Sequence, residues 1–140
     1  GYCLANDVSE RHWQIHRGGQ WVKGKSFDTF GPLGPYLVTA DEIANPQDLP
    51  VSLKVNGAMR QNSNTSNLIY NCRRLIEFAS EFYTLYPGDL VYTGTPDGVS
   101  PVKPGDVIVC RSAPVLGELT IKVRAHEGGA HAAQPAHAQA

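Results

Sequence analysis

The chain is predicted to fold as a mainly β domain with minor α, on three observations. Val51, Leu53 and Val55 alternate with Ser52 and Lys54 and run into Asn56-Gly57, the strongest short hairpin signal because both turn positions take positive φ. Pro87-Gly88-Asp89 and Pro104-Gly105-Asp106 are two copies of one device, a Pro-Gly turn that needs positive φ at glycine and feeds an apolar run. A sustained helical period occurs once, where Leu75, Ile76, Ala79, Phe82 and Tyr83 share a face behind Asn71 as N-cap and ahead of Pro87-Gly88 as terminator.

The remaining elements follow in order. Residues 1–6 read as a strand that ends in a polar turn at Asn6 and Asp7, so Asp7 stands at a strand end. Residues 8–15 suit a short helix with Ser9 as candidate cap, broken by Arg17-Gly18-Gly19-Gln20. A loop is expected as far as Gly34, since Gly31-Pro32-Leu33-Gly34-Pro35 is too rich in Gly and Pro for a regular element, and residues 36–39 form a strand leaving it. Residues 58–61 return as the second arm of the first hairpin, and Leu90-Val91-Tyr92 make a strand before Thr93-Gly94-Thr95-Pro96. Residues 107–111 and 116–124 alternate around a turn near Pro114 and Gly117, giving a second hairpin. About six or seven strands against one good helix must close, pair or cover their edges.

Residues 1–125 are assigned to this domain, and residues 126–140, rich in Ala, His, Gln and Pro with no large apolar side chain, to a disordered tail. The chain opens at Gly1 in a strand rather than at Met, which reads as a piece of a longer protein whose upstream part covers some of the sheet edges.

At 140 residues and 41% hydrophobic content the chain suffices for one domain with a real core. Lys and Arg number 12 against 13 Asp and Glu, and no basic run exceeds Arg73-Arg74, so nucleic acid and anionic membranes are not expected partners. No apolar stretch approaches the roughly 20 residues of a membrane span, and no signal peptide opens the chain, so a soluble cytoplasmic protein is expected. Cys3, Cys72 and Cys110 are odd in number and form no Cys-x-x-Cys pair, which argues for reduced thiols rather than a disulfide framework or a zinc site.

Polar groups at strand ends and turns converge while the backbone behind them stays rigid, which makes Asp7, Lys25, Asp28, Thr29 and Thr95 the first candidates for chemistry. Lys25, between Gly24 and Ser26, suits neutralising a substrate carboxylate or a developing enolate; an ordinary surface lysine is the plain alternative. Gly24 favours close approach of a ligand to the backbone. Thr93-Gly94-Thr95-Pro96 offers hydroxyls and backbone N–H groups suited to a carboxylate, and reads equally as a strand-to-loop turn. Asp7 supplies one carboxylate for a hard cation and Glu10 lies three residues on, but no Glu-x-Glu pair accompanies them. His12 and His16 have the spacing of a zinc pair without the adjoining glutamate, and Gly18 ends any helix there. Trp13 and Trp21 are read as apolar anchors of the polar loop.

Taken in order, the runs 1–11, Gly24-Lys25-Ser26-Phe27-Asp28-Thr29-Phe30-Gly31-Pro32-Leu33-Gly34-Pro35, Val55-Asn56-Gly57 with Arg60-Gln61, Asn64-Thr65-Ser66, and Pro87-Gly88-Asp89 with Thr93-Gly94-Thr95-Pro96 resemble the C-terminal two thirds of a fumarylacetoacetate hydrolase family catalytic domain. The resemblance runs from Gly1 to about Arg124. It implies the mixed β-sandwich roll of that family, incomplete at its N-terminus, and a homodimer. It implies Asp7 as a carboxylate ligand of Mg²⁺ or Mn²⁺ with Thr29 close to the metal shell, Lys25 as the catalytic lysine, and Arg11, Gln14, Lys25 and Thr95 as contacts of a 2-oxo acid substrate. The implied reaction is hydrolytic cleavage of a carbon–carbon bond in a 2,4-diketo, acylpyruvate-type acid through an enolate held by the metal. The alternatives are isomerisation or decarboxylation of hydroxylated diene-dioic acids, a ureidoglycolate lyase-like or 2-oxo sugar acid dehydratase activity, and a non-catalytic truncated remnant. The family's Glu-x-Glu ligands and its general base precede the matched region, so the chain by itself is expected to lack them.

Overall fold

A computed structural model describes residues 1–125 and the pair 138–139. The expected disordered tail falls on residues 126–140, of which all but Ala138 and Gln139 lie outside the described residues. Nine strands and two α-helices are described: β1 (Tyr2–Ala5), β2 (Ser9–Glu10), α1 (Arg11–Ile15), β3 (Leu33–Val38), β4 (Pro50–Val55), β5 (Ala58–Asn64), α2 (Cys72–Ser80), β6 (Pro101–Val102), β7 (Val107–Ser112), β8 (Gly117–Lys122) and β9 (Ala138–Gln139). The mainly β class with minor α is therefore borne out.

The largest sheet is antiparallel, in the order β5-β4-β7-β8. Its first hairpin turns at Asn56 and Gly57 with φ of 51° and 81°, as the Asn-Gly pair requires. The turn is also tied by side chains: Asn56 Nδ2 donates to Asp106 Oδ1, and Val107 N–H donates to Asn56 Oδ1, both at 2.9 Å. Opposite it, Leu53 pairs with Gln61 and Lys54 with Met59, so Arg60 is an extra residue that bulges β5. The second hairpin, β7 to β8, turns at Gly117 with φ of 76°.

The alternation of these strands aims Leu53, Val55, Ile108 and Cys110 at one layer, where they meet Leu4 and Val38 from the two-stranded β1-β3 ribbon. Val102, Ile43, Leu49 and Leu116 complete this core, and Ile108 is only 1% exposed, worth about 1.5–3 kcal/mol in apolar transfer. Short β2, β9 and β6 make a third, three-stranded sheet.

Four local expectations change. Leu33-Gly34-Pro35 belongs to β3 rather than to a loop; Pro35 is tolerated because the ribbon has only two strands and both are edges. The short helix is capped by Glu10, whose carboxylate accepts from Trp13 N–H at 2.7 Å, while Ser9 lies in β2 and turns its hydroxyl back to Asp7 O. Asn71 caps α2 as expected, its Oδ1 accepting from Arg74 N–H at 2.8 Å, but the helix ends at Ser80, short of Phe82 and Tyr83. Leu90, Val91 and Tyr92 lie outside every described strand and are exposed.

One pH effect follows from the Asn56 turn. The Lys103 backbone N–H and then the Asn56 amide hold the Asp106 carboxyl below its usual range. Folding thus favours ionised Asp106. Its contribution is present above the unfolded value of 3.8 and is lost as pH falls through the lower folded value. Asp106→Asn is expected to flatten the acid limb of the melting-temperature profile below about pH 4, measured by thermal melts across the acid range.

Candidate functional site

Asn6 fixes the end of β1. It is buried, its N–H donates to Pro32 O at 3.1 Å, and its amide donates to Cys110 Sγ in the core at 3.6 Å. Burial pushes the Cys110 thiol up, so it remains a protonated core group. With Asn6 clamped from both sides, the next residue, Asp7, leaves the sheet from a rigid base.

Lys25 meets it. The Lys25 Nζ and Asp7 Oδ2 lie 2.5 Å apart, joining residues from a strand end and a distant loop, with the lysine side chain 26% exposed and the carboxylate 46%. The loop reaches this place because of Gly24. A side chain at Gly24 would put its Cβ 2.6 Å from both Gln14 Cβ and Glu10 O, so the glycine lets a single 3₁₀ turn (Trp21–Gly24) lie flat against α1. The close approach at Gly24 is that of α1.

The same packing brings Arg11 and Gln14 to the site's flank. Gln14 is fully buried, its Oε1 accepts from Arg11 Nη1 at 2.6 Å, and its Nε2 has no acceptor among the described residues. A buried amide with one half unused costs about 1–3 kcal/mol. Trp13 packs edge-to-face on Phe27 and carries Arg17 over its ring, which supports its reading as an anchor, whereas Trp21 is 63% exposed. His12 accepts from Arg17 Nε at 2.9 Å and sits 6.0 Å, ring to ring, from His16.

Thr29 is exposed and holds φ of 70°, a left-handed conformation that costs a β-branched residue about 1–3 kcal/mol and that tends to mark functional turns. Two residues on, Gly31 O accepts from the Tyr92 hydroxyl at 3.0 Å, which ties the Thr29 loop to the segment before Thr93. Burial, and next the charge of Asp7, raise the pKa of Tyr92, so this phenol lies within the field of the Asp7 carboxylate. Three residues further, Thr95 Oγ accepts from Gln61 Nε2, which also donates to Pro96 O, each at 2.9 Å.

Asp7 and Lys25 are thus joined directly. Arg11 and Gln14 reach them through Gly24, Thr29 is tied through Gly31 to Tyr92, and Thr95 is bonded to Gln61 rather than to the pair. Asp28 is exposed and enters none of these contacts. Sequence reasoning missed Asn6, Gln61 and Tyr92. The clue to Gln61 is its place just past the Asn56-Gly57 turn, and nothing local points to Tyr92, whose partner is far away in the chain.

The fit to a divalent cation is incomplete. Such an ion wants several carboxylate or carbonyl oxygens, and among the described residues no group of three or more His, Cys, Asp or Glu side chains is arranged to hold one. The Asp7 carboxylate is ion-paired to the Lys25 ammonium group, and that of Glu10 caps α1.

A β-rich body with a carboxylate–lysine pair at a strand end, and with a strained threonine turn and a Thr-Gly-Thr-Pro turn on other loops, defines a class of domain that carries its polar groups on loops above a rigid core. The chain belongs to the fumarylacetoacetate hydrolase family: the family model described as the C-terminal part of fumarylacetoacetate (FAA) hydrolase matches residues 1–124. A protein of Burkholderia multivorans, provisionally named a hydrolase, is 56% identical over 108 residues, covering 76% of this chain and 38% of its own length. The structure of a 5-carboxymethyl-2-hydroxymuconate delta-isomerase from Mycobacterium smegmatis matches with a TM-score of 0.81 at 44% identity, covering 89% of this chain and 48% of that one. That of a maleylpyruvate hydrolase from Sphingobium sp. SYK-6 matches with a TM-score of 0.71 at 41% identity, covering 76% of this chain and 40% of that one. The chain therefore spans less than half the length of these relatives. The fold is of the fumarylacetoacetate hydrolase type. No helix among the described residues is long and apolar enough to cross a membrane.

Proposed function

We propose that this chain carries the enolate-stabilising side of a site that hydrolyses a carbon–carbon bond in 2,4-diketo, acylpyruvate-type acids. The observation that carries the reading is the Asp7–Lys25 pair, a lysine held at a fixed point by a carboxylate beside an open polar turn. Similarity to a maleylpyruvate hydrolase supports it.

The Lys25 ammonium lies where it neutralises the 2-oxo acid's carboxylate and the negative charge that grows on the enol oxygen. Arg11 lies at the flank, and the fully buried Gln14 acts behind it, its Oε1 holding Arg11 Nη1 at 2.6 Å. Thr95 offers its hydroxyl proton, since its oxygen already accepts from Gln61. Water adds to the remote carbonyl, the bond between the former carbonyl carbon and the methylene carbon breaks, and the electron pair passes to the pyruvate enolate. That enolate takes a proton at carbon, so the products are a carboxylic acid and pyruvate. Asp7, with Thr29 near it, would be this chain's share of the ligands of Mg²⁺ or Mn²⁺, which would polarise the 2-oxo acid's oxygens when bound. A homodimer and a cytoplasmic location belong to the same proposal.

The second reading is isomerisation of a hydroxylated diene-dioic acid, favoured by the isomerase neighbour, because one enolate serves both outcomes. The chain, alone and joined to the portion of the Burkholderia multivorans relative that the match leaves out, is assayed with acylpyruvates and with hydroxylated diene-dioic acids. Loss of enol absorbance with release of pyruvate is expected from the joined protein. Spectral change without pyruvate favours the isomerase, and no turnover of either class favours a non-catalytic remnant. In the joined protein Asp7→Ala is expected to weaken Mn²⁺ binding at least about tenfold, read by titration without substrate; unchanged binding removes Asp7 from the ligands.

A further inference from the structure

The turn between β4 and β5 is the only Asn-Gly step in the sequence. Asparagine is a thermolabile residue, and ahead of glycine its amide is open to attack, because glycine has no side chain to keep its backbone nitrogen away from the asparagine Cγ. Here three hydrogen bonds oppose that approach. Asn56 Nδ2 donates to Asp106 Oδ1, Val107 N–H donates to Asn56 Oδ1, and Asn56 N–H donates to Val107 O, each at 2.9 Å. Asp106 is itself fixed, since Lys103 N–H donates to its Oδ2 at 2.9 Å. Asn56 and Gly57 are exposed, and nothing lies within 4 Å of where a Gly57 Cβ would stand. Solvent therefore reaches the turn, and the side-chain amide is restrained by its hydrogen-bond partners rather than by burial.

We propose that Asn56 is a site of spontaneous deamidation kept closed by the Asp106 carboxylate, and that its conversion to an acid unfastens the β4–β5 turn from β7. In the reaction the Gly57 nitrogen bonds to Asn56 Cγ, the Cγ–Nδ2 bond breaks, and ammonia leaves with the proton that Gly57 gives up. Water then opens the imide ring at either carbonyl, giving aspartate or isoaspartate with nothing oxidised or reduced. The amide must leave both of its partners before the ring can close, so the reaction waits on the opening of the Asp106 contact.

The product cannot return to the same contact. A carboxylate oxygen stands where Nδ2 donated, facing Asp106 Oδ1 across what was a 2.9 Å hydrogen bond, so a donor is lost and two like charges meet. Isoaspartate also lengthens the main chain of a turn whose length sets the register of the hairpin.

The test incubates the chain at mildly alkaline pH, folded and in denaturant, and follows each asparagine by peptide mass spectrometry. Conversion at Asn56 is expected to be at least about tenfold slower in the folded chain, and Asp106→Ala to recover most of that difference, as loss of a charge-assisted hydrogen bond implies. Asn62, also on β5, reports opening of the whole hairpin, and its rate is expected to stay unchanged. Where Asp106→Ala does not fold, Asp106→Asn, which keeps the shape with a neutral acceptor, carries the same comparison with a smaller acceleration. Asn56 reacting as fast folded as denatured, or no faster once Asp106 is replaced, overturns the proposal. So does equal acceleration at Asn56 and Asn62, which assigns the protection to the hairpin as a whole. The consequence is read in melting temperature: Asn56→Asp is expected to lower it by several degrees, and adding Asp106→Asn, which swaps donor and acceptor across the contact, to restore most of the loss. A double variant no more stable than Asn56→Asp alone removes the charge repulsion and with it the proposed unfastening.

Discussion

Lys25→Ala, in the chain joined to the portion its relatives carry beyond the match, is expected to lower kcat for an acylpyruvate about 10²–10³-fold, the usual loss when one preorganised charge or donor is taken from a developing oxyanion. The change removes the group that Asp7 Oδ2 holds at 2.5 Å, and it removes nothing from the core, because Lys25 extends from a loop onto a half-exposed carboxylate. KM is expected to rise far less than kcat falls, since the ammonium meets more charge in the enolate than in the ground state. Lys25→Arg keeps the charge but replaces a compact point with a planar fork, and only partial recovery is expected. A merely structural pair would behave otherwise: an exposed ion pair contributes at most about 1 kcal/mol, so both variants would retain turnover and shift only the melting temperature slightly. Retained kcat in Lys25→Ala, with Mn²⁺ binding lost instead, would reverse the roles assigned to Lys25 and Asp7.

What the sequence made legible follows from the range of the forces involved. The Asn56-Gly57 hairpin and the Asn71 cap are set by neighbours in the chain, and both appear where local rules place them. The identity of the cap on α1 is decided by position: Glu10 directly precedes Arg11 and its carboxylate meets Trp13 N–H, while Ser9, one residue earlier, turns its hydroxyl back to Asp7 O. Leu90-Val91-Tyr92 shows the limit from the other side. Its pattern is that of a buried strand, but a strand exists only with a partner, and none is described for it. At the site, Asp7, Lys25 and Thr29 stand out as polar residues punctuating apolar runs, and family resemblance supplies their expected roles. The connections between them are long-range: Tyr92 to Gly31 and Gln61 to Thr95 join segments that no local rule relates. Gly24 illustrates the same point, since its signal of close approach was legible and its partner, α1, was not.

Gly98→Ala is expected to destabilise the domain by about 3 kcal/mol or more, a fall in melting temperature of about 10 °C. Gly98 has φ of 100°, and a Cβ there would stand 1.8 Å from Arg60 O and 2.8 Å from Arg60 C. Both are backbone atoms at the β5 bulge, held by the ladder on either side, so the strand cannot yield and the segment carrying Gly98 must lift away. That movement pulls on Gln61, which is buried and spends its amide on Thr95 Oγ and Pro96 O, and an unpaired buried amide adds its own cost. Gly94→Ala is the control. It shares a positive φ, 121°, but nothing lies within 4 Å of its added Cβ, so only the backbone term of about 1–3 kcal/mol applies. Thermal melts of the two variants therefore separate strain from collision. Equal losses would mean that Arg60 gives way, and that the Gln61–Thr95 connection is not held in place by the bulge.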